Sequence, residues 1–292
     1  MPHAIRTAFS MSYFRKILKI VVVALTSRPW TQRLLERTVV FLQDLMGIGT
    51  GGSPAWSGEK GLGKLLREQY ASSRRPLCIF DVGANKGQFL SEVIQQLVAA
   101  GIPLRVHAFE PSRAAFDVLR AGFQDRRDVS LNNLGLGREV GEFPLFSNAP
   151  GSGLASLSQR RLGHIGLDFN TKESVRIEKL DDYCRQHEIE RIDLLKLDVE
   201  GHELDVLSGG KRMFHEGRIG MVSFEFGGTH IDSRTFFQDF WYFFKENGGG
   251  TIYRITPAGP PFPIIEYREI YEQFRTTNFL VVISEAVRSP SA

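Results

Sequence analysis

The sequence predicts an α/β domain, an open and largely parallel sheet with helices on both faces, preceded by a helical amino-terminal extension. Three observations predict it. Leu77-Cys78-Ile79-Phe80 is a short apolar run of the kind buried on both faces of a sheet. It leads into a glycine turn and then a helical pattern (Phe89, Val93, Ile94, Leu97) that stops at Gly101. Three successive apolar runs end in an acid, at Glu110, Asp198 and Glu225. Carboxylates gathered at that edge are costly unless they bind something, and in open α/β sheets it is where ligands sit. Finally, 292 residues suit one large α/β domain with an appendage, or two small domains.

The chain opens on a basic segment. Residues 1–50 hold seven Lys/Arg (Arg6, Arg15, Lys16, Lys19, Arg28, Arg33, Arg37) against Glu36 and Asp44, so the whole chain's +3 excess lies there. The remainder is slightly acidic, which gives no argument for a nucleic-acid partner. The apolar run Ile17–Leu25 is interrupted by Lys19 and falls short of the roughly 20 residues a membrane span needs. A signal peptide stays open, with Arg15 and Lys16 as its n-region, but no A-x-A-like cleavage site follows cleanly. From Thr31, the residues Leu34, Leu35, Thr38, Leu42, Leu45 and Met46 share one helical face. Two readings fit: helices packed on the main domain, or a basic amphipathic segment lying on an anionic membrane surface. Gly47–Gly63, with seven glycines and Pro54, reads as a flexible linker. An extension over 1–63 and a main domain over 64–292 are therefore expected. The two cysteines, Cys78 and Cys184, have no ligand spacing and read as reduced core residues, which fits a cytoplasmic protein.

The glycine turn is Asp81-Val82-Gly83-Ala84-Asn85-Lys86-Gly87. A dinucleotide fingerprint would need glycines where Asn85 and Gln88 stand. Glycines in such a turn let the backbone approach a ligand, and the helix start offers free N–H groups. Glu110 follows Gly83 by 27 residues, where an open α/β nucleotide site presents an acid to the ribose hydroxyls. Pro111 stops that strand and Ser112 can cap the helix running to about Phe123. A third strand spans Val129–Leu136, with Asn133 and Leu134 near its end. Gly141–Phe146 makes an extra strand. Asn148–Ser158, rich in glycine and serine, reads either as a lid over the acceptor or as a long surface loop.

Ser174–Glu178 alternates like a strand, and Leu180-Asp181-Asp182 opens a helix. The second anchor is Leu195-Lys196-Leu197-Asp198-Val199-Glu200-Gly201-His202-Glu203, an apolar strand breaking into acids before a helix. Glu203 there reads as a favourable first-turn charge. Ile219–Gly227 repeats the pattern and ends at Glu225. The aromatic helix that follows (Phe236, Phe237, Phe240, Trp241, Tyr242, Phe243, Phe244) reads as core packing rather than an acceptor pocket. Thr251–Ile255 and Asn278–Ile283 are the closing strands, joined by a proline-rich excursion and a short helix.

With both anchors in view, the chain resembles FkbM-type methyltransferases from about Leu77 to Ile283. The resemblance rests on Asp81–Gly87, Phe109-Glu110-Pro111, Leu180-Asp181-Asp182 and Leu195–Glu203. It implies a Rossmann-like, seven-stranded class I sheet in the order 3-2-1-4-5-7-6 with the last strand antiparallel. It also implies S-adenosylmethionine as donor and O-methylation of a hydroxyl on a sugar, glycolipid or other secondary metabolite. Asp81, Gly83, Ala84, Asn85, Gly87, Glu110, Asn133, Leu134 and Asp198 are then the cofactor-binding candidates. Methyl transfer is an in-line displacement governed by alignment, and a positioned base adds roughly 10²–10⁴-fold. Asp198 is the first candidate for that base or for holding the methionine ammonium; Glu200, His202 and Glu225 follow. Some sugar O-methyltransferases of similar layout hold Mg²⁺ with strand-end carboxylates, which Asp198 and Glu225 could supply; no metal is assigned. The expected partner is a small-molecule or glycan acceptor, with peripheral membrane contact open through the first segment and the oligomeric state unread. Two rivals stand beside this reading. One is an NAD-dependent oxidoreductase, against which the missing glycines count. The other is an inactive scaffold of the same fold, recruited to a membrane or complex.

Overall fold

The computed structural model describes residues 16–17, 19–52, 57–58, 60–70, 75–258 and 260–283. They fall into two compact units, Met1–Met46 and Gly47–Ala292. The first is helical over 19–26 and again in α1 (Pro29–Leu45), where Pro29 begins the helix at a position that needs no N–H partner. No residue of α1 is buried. Arg6 and Arg15 lie outside the described residues, and among the described residues no helix is long and apolar enough to cross a membrane.

The second unit is built on an eight-stranded sheet in the order β10-β9-β11-β8-β7-β1-β2-β3. Its strands are β1 (Leu77–Val82), β2 (Leu104–Phe109), β3 (Val129–Asn132), β7 (Ile192–Leu197), β8 (Ile219–Phe226), β9 (Gly250–Arg254), β10 (Phe262–Ile264) and β11 (Thr277–Ile283). β3, β2, β1, β7 and β8 run parallel, and β11 is antiparallel to both β8 and β9. The expected seven-strand order is present and carries one strand more. β10 arises from the proline-rich excursion and pairs with β9 at the sheet edge. Pro263 is tolerated there because an edge strand needs no N–H on its outer side.

β1 and β7, buried along their whole length, are the central strands. Alternate side chains of β1 feed two cores, Cys78, Phe80 and Val82 on one face and Leu77 and Ile79 on the other. The helices α3 (Gln88–Ala99) and α4 (Arg113–Phe123) pack their apolar faces on the second core. The aromatic helix α9 (Phe237–Glu246) buries Phe237, Phe240, Phe243 and Phe244, and Phe240 stacks on Phe224 at 4.6 Å. Core packing is therefore its role, as the helical spacing predicts.

Two expectations are corrected. The third strand does not run unbroken to Leu136. It ends at Asn132, and β4 (Gly135–Leu136) leaves to join β5 (Gly141–Ser147) and β6 (Thr171–Glu178) in a separate three-stranded sheet. The Asn133 amide fixes the break by donating to the carbonyls of Glu110 (3.0 Å) and Pro111 (3.1 Å). Nor is Gly47–Gly63 a free linker. Gly49 and Gly51 both donate N–H groups to Thr276 O, Ile48 is buried, and α2 (Lys60–Tyr70) begins within the stretch. A Cβ on Gly51 would meet Thr276 at 2.8 Å, so the glycines serve close packing rather than looseness. Residues 53–56 and 59 of that stretch lie outside the described residues.

Candidate functional site

Two cavities open at the carboxyl ends of β1, β2, β7 and β8. The narrower is lined by Gly83, Asn85, Glu110, Leu136, Ile177 and Val199, among others. The wider, about 500 Å³, is lined by Gln88, Phe89, Glu92, Arg160, Lys196, Glu225, Thr229 and Thr276. Its volume suits a small molecule. Gly83, Asn85, Gly153, Asp198 and Glu200 line both, so the cavities meet there.

The glycine turn is tied down first. Gly83 and Ala84 both donate N–H groups to Phe109 O at 2.9 Å. Gly83 adopts φ +82, and a Cβ on it would lie 1.9 Å from Asp198 O. Only glycine lets β1 and β7 end this close together. Beside the turn, Glu110 accepts N–H groups from Asn85 at Oε2 and from Ser112 at Oε1, both at 2.8 Å. Ser112 stands at the N-cap of α4 as expected, but its contribution is this N–H, since its side chain makes no cap. Burial pushes the Glu110 carboxyl up to about 7, against the pull of the two backbone hydrogen bonds. Each Glu110 oxygen retains capacity for another donor.

Asp198 follows the last residue of β7, and its carboxylate lies 3.1 Å from Lys196 Nζ. Lys196 is buried, also reaches Asp81 at 3.6 Å, and lies over the Phe89 ring at 5.0 Å. Beyond Asp198 the backbone is strained. Glu200 holds φ +54 and Gly201 φ +101. Glu203, at the start of α6 (Glu203–Gly209), is 1% exposed and accepts N–H groups from Val199 (2.9 Å) and Gly201 (3.1 Å). His230 in α8 (Thr229–Ser233) approaches the same carboxylate at 2.9 Å through Nε2, while its Nδ1 accepts from Gly227 N–H. Burial alone would raise the Glu203 carboxyl, but His230 and the backbone donors hold it below the ordinary range. Glu203 stands in the first turn of its helix, as expected, and is also a buried brace under the loop.

The Glu200 carboxylate meets Arg160 at 2.9 Å, and Arg160 also faces Asp232 at 3.6 Å. Burial and the neighbouring Asp198 charge push Glu200 up to about 8, against the pull of Arg160. Arg160 closes the loop after β5, and this loop is the roof of the site. Ser156 pairs with Phe146 through two backbone hydrogen bonds and donates Oγ–H to Glu200 O at 2.8 Å. Ser158 Oγ meets His202 Nε2 at 3.0 Å, and His202 Nδ1 meets Asp205 at 2.8 Å. Ser152, Gly153, Leu154, Ala155 and Leu157 line one cavity or both. Asn148–Ser158 thus brings Ser152–Ala155 and Leu157 to the cavities.

The structure thus brings Gly83, Ala84, Asn85, Glu110, Asp198, Glu200, His202 and Glu225 to the cavities. Four candidates are placed elsewhere. Asp81 is fully buried behind the turn beside Lys196, and burial raises its carboxyl against that cation. Gly87 is the left-handed N-cap of α3, packed against Phe123. Asn133 is spent on backbone carbonyls and Leu134 packs into the core, so Gly135 and Leu136 take the wall expected of them. His202 lines the narrower cavity, but both its ring nitrogens are engaged in clamping the cover. Sequence reasoning gives no role to Lys196, Arg160 or His230. Lys196 carried a signal, as the one cation inside a strand buried along its whole length. Among the described residues no group of three or more His, Cys, Asp or Glu is arranged to hold a metal ion.

Residues 81–251 match the family model of the methyltransferase FkbM domain. Methyltransferase sdnD of Sordaria araneosa is 32% identical over 163 residues, covering 45% of this chain and 59% of its own. The 2-O-methyltransferase NoeI of Sinorhizobium fredii (strain NBRC 101917 / NGR234) is 27% identical over 150 residues, 48% of this chain and 60% of its own. The chain thus spans less than two thirds of the length of these relatives. The crystal structure of methyltransferase FkbM from Methylobacillus flagellatus KT aligns with a TM-score of 0.44 at 17% identity, over 72% of this chain and 45% of that one.

Proposed function

The chain belongs to the FkbM methyltransferase family, and on that premise we propose that it transfers a methyl group from S-adenosylmethionine to a hydroxyl of a sugar, glycolipid or similar polyhydroxylated acceptor. The observation that carries this is the meeting of two cavities at Gly83, Asn85, Asp198 and Glu200. One offers a carboxylate with acceptor capacity for a ribose diol. The other offers polar groups, among them Gln88, Glu92, Glu225, Thr229 and Thr276, for an acceptor with several hydroxyls. The buried Asn85 Oδ1 has no hydrogen-bond partner among the described residues, and at the junction it fits a donor group on a bound molecule. The name of the relative NoeI, a 2-O-methyltransferase, supports a hydroxyl as the target.

The donor supplies an already activated methyl on a sulfonium; everything else falls to this chain. Glu110 holds the ribose hydroxyls. The Ser152–Leu157 cover excludes water. Glu200 is the group that takes the acceptor's proton, because its raised affinity for a proton suits a base near neutral pH. Asp198, paired with Lys196, presents negative charge at the junction. Two buried, reduced cysteines suit a reducing compartment such as the cytoplasm. Isothermal titration with S-adenosylhomocysteine is the first test. Micromolar binding is expected, followed by methylation of hydroxylated acceptors in a labelled-donor screen. No binding to well-folded protein would overturn the reading.

A further inference from the structure

The first 46 residues carry a surface that the methyl-transfer site does not use. Along α1, Trp30, Leu34, Phe41, Leu45, Leu42 and Leu35 fall within one half of the helical circumference, and each is 43–63% exposed. The opposite half carries Gln32, Arg33, Glu36, Arg37, Gln43 and Asp44, with Pro29 and Val40 among them and Val39 at its edge. The helical residues 19–26 ahead of it also expose Ile20, Val21, Val22, Val23 and Leu25. A continuous apolar surface of this kind marks an interaction site.

We propose that the Met1–Met46 unit is an anchor that lies in the surface of an anionic lipid bilayer, with the apolar half of α1 turned to the acyl boundary. Charge selects this occupant. Lys16, Lys19, Arg28, Arg33 and Arg37 outnumber Glu36 and Asp44 in the described part of the unit. Arg33 and Arg37 flank the Trp30 border of the apolar half, where long cationic side chains reach headgroup phosphates while their stems stay apolar. Trp30 is of the residue type that settles at headgroup depth. Among the described residues no helix is long and apolar enough to cross a bilayer.

The test is flotation of the full chain with vesicles of phosphatidylcholine alone and of phosphatidylcholine with phosphatidylserine. Binding to the anionic vesicles is expected, weakening as salt is raised. It should fall about tenfold or more in Leu34→Glu/Phe41→Glu and in Arg33→Glu/Arg37→Glu. Circular dichroism and thermal unfolding of both variants should match the unsubstituted protein, because none of the four residues is buried. Failure to float with anionic vesicles would overturn the proposal, and so would equal binding to neutral ones. A dimer in light scattering that Leu34→Glu/Phe41→Glu dissociates would also overturn it, by placing a second copy on the face. These readouts need neither donor nor acceptor, so they stand or fall apart from the methyl-transfer reading.

Discussion

Replacing Glu110 by alanine separates what this carboxylate does for the fold from what it does for a ligand. Glu110 is 7% exposed, and burial lifts it from 4.5 to about 7. The folded protein therefore binds this proton more tightly than the unfolded chain, and stability attached to Glu110 is lost as pH rises from about 4.5 to about 7. Above pH 7 the ionised carboxylate costs the ligand-free fold about 3 kcal/mol. Glu110→Ala removes that cost but leaves the Asn85 and Ser112 N–H groups without their acceptor, at about 1–3 kcal/mol each. At pH 8 these effects nearly cancel, so the variant should melt close to the parent. At pH 5 the carboxyl is neutral in the folded protein, the orphaned donors dominate, and the variant should be less stable by about 2–6 kcal/mol. Binding responds differently. Loss of a charged acceptor for two ribose hydroxyls removes about 3 kcal/mol, or about 100-fold in the Kd for S-adenosylhomocysteine. Thermal unfolding at both pH values and calorimetry at pH 8 check these outcomes. A Kd unchanged within about twofold, or the same stability difference at both pH values, would refute the reasoning.

Glu200→Gln should abolish the rise in turnover through about pH 8 while S-adenosylhomocysteine still binds; a rise that persists would remove Glu200 as the base. Asp198→Asn should lower cofactor affinity and turnover together, whereas a loss confined to turnover would return the base to Asp198. Lys196→Met should destabilise the protein by about 3 kcal/mol through the two carboxylates it leaves unpaired, and adding Asp81→Asn should recover part of this in denaturant unfolding. Glu203→Ala, which leaves His230 and two backbone donors unpaired, should cost about 3–5 kcal/mol, and Glu203→Gln appreciably less.

The sheet and the strand-end acids were legible because both follow from local pattern. A strand buried on both faces must be a continuous apolar run, so an acid at its end stands out, as at Glu110, Asp198 and Glu225. What was not legible depends on the neighbour across the sheet. Asp81 is one residue before the end of β1, and the pleat sends it to Lys196 on β7 rather than to the cavity. Asn133 and Leu134 resemble the wall of a nucleoside site, but the break that Asn133 fixes passes that wall to Gly135 and Leu136. The glycines of Gly47–Gly63 look like a linker because sequence cannot distinguish glycine chosen for looseness from glycine chosen for close approach. β10 is three residues long and contains a proline, too little for an alternating pattern to register.

The loop between β7 and α6 ties these features together. It carries the two acids shared by both cavities, and it holds Glu200 and Gly201 in left-handed conformations that a side-chain-bearing residue adopts only under constraint. The constraint lies beneath it, where Glu203 gathers the Val199 and Gly201 N–H groups and is itself held by His230, both side chains almost wholly buried. Above it, Ser156 bonds the Glu200 carbonyl and Arg160 its carboxylate. Glu200 is thus fixed from three sides before any ligand arrives. On the proposed reading, a base held this way need not reorganise when the acceptor enters, and the burial that fixes Glu200 is the same burial that raises its affinity for a proton. Geometry and basicity at this position therefore have one physical origin, the enclosed loop that the Asp-Val-Glu-Gly-His-Glu sequence builds.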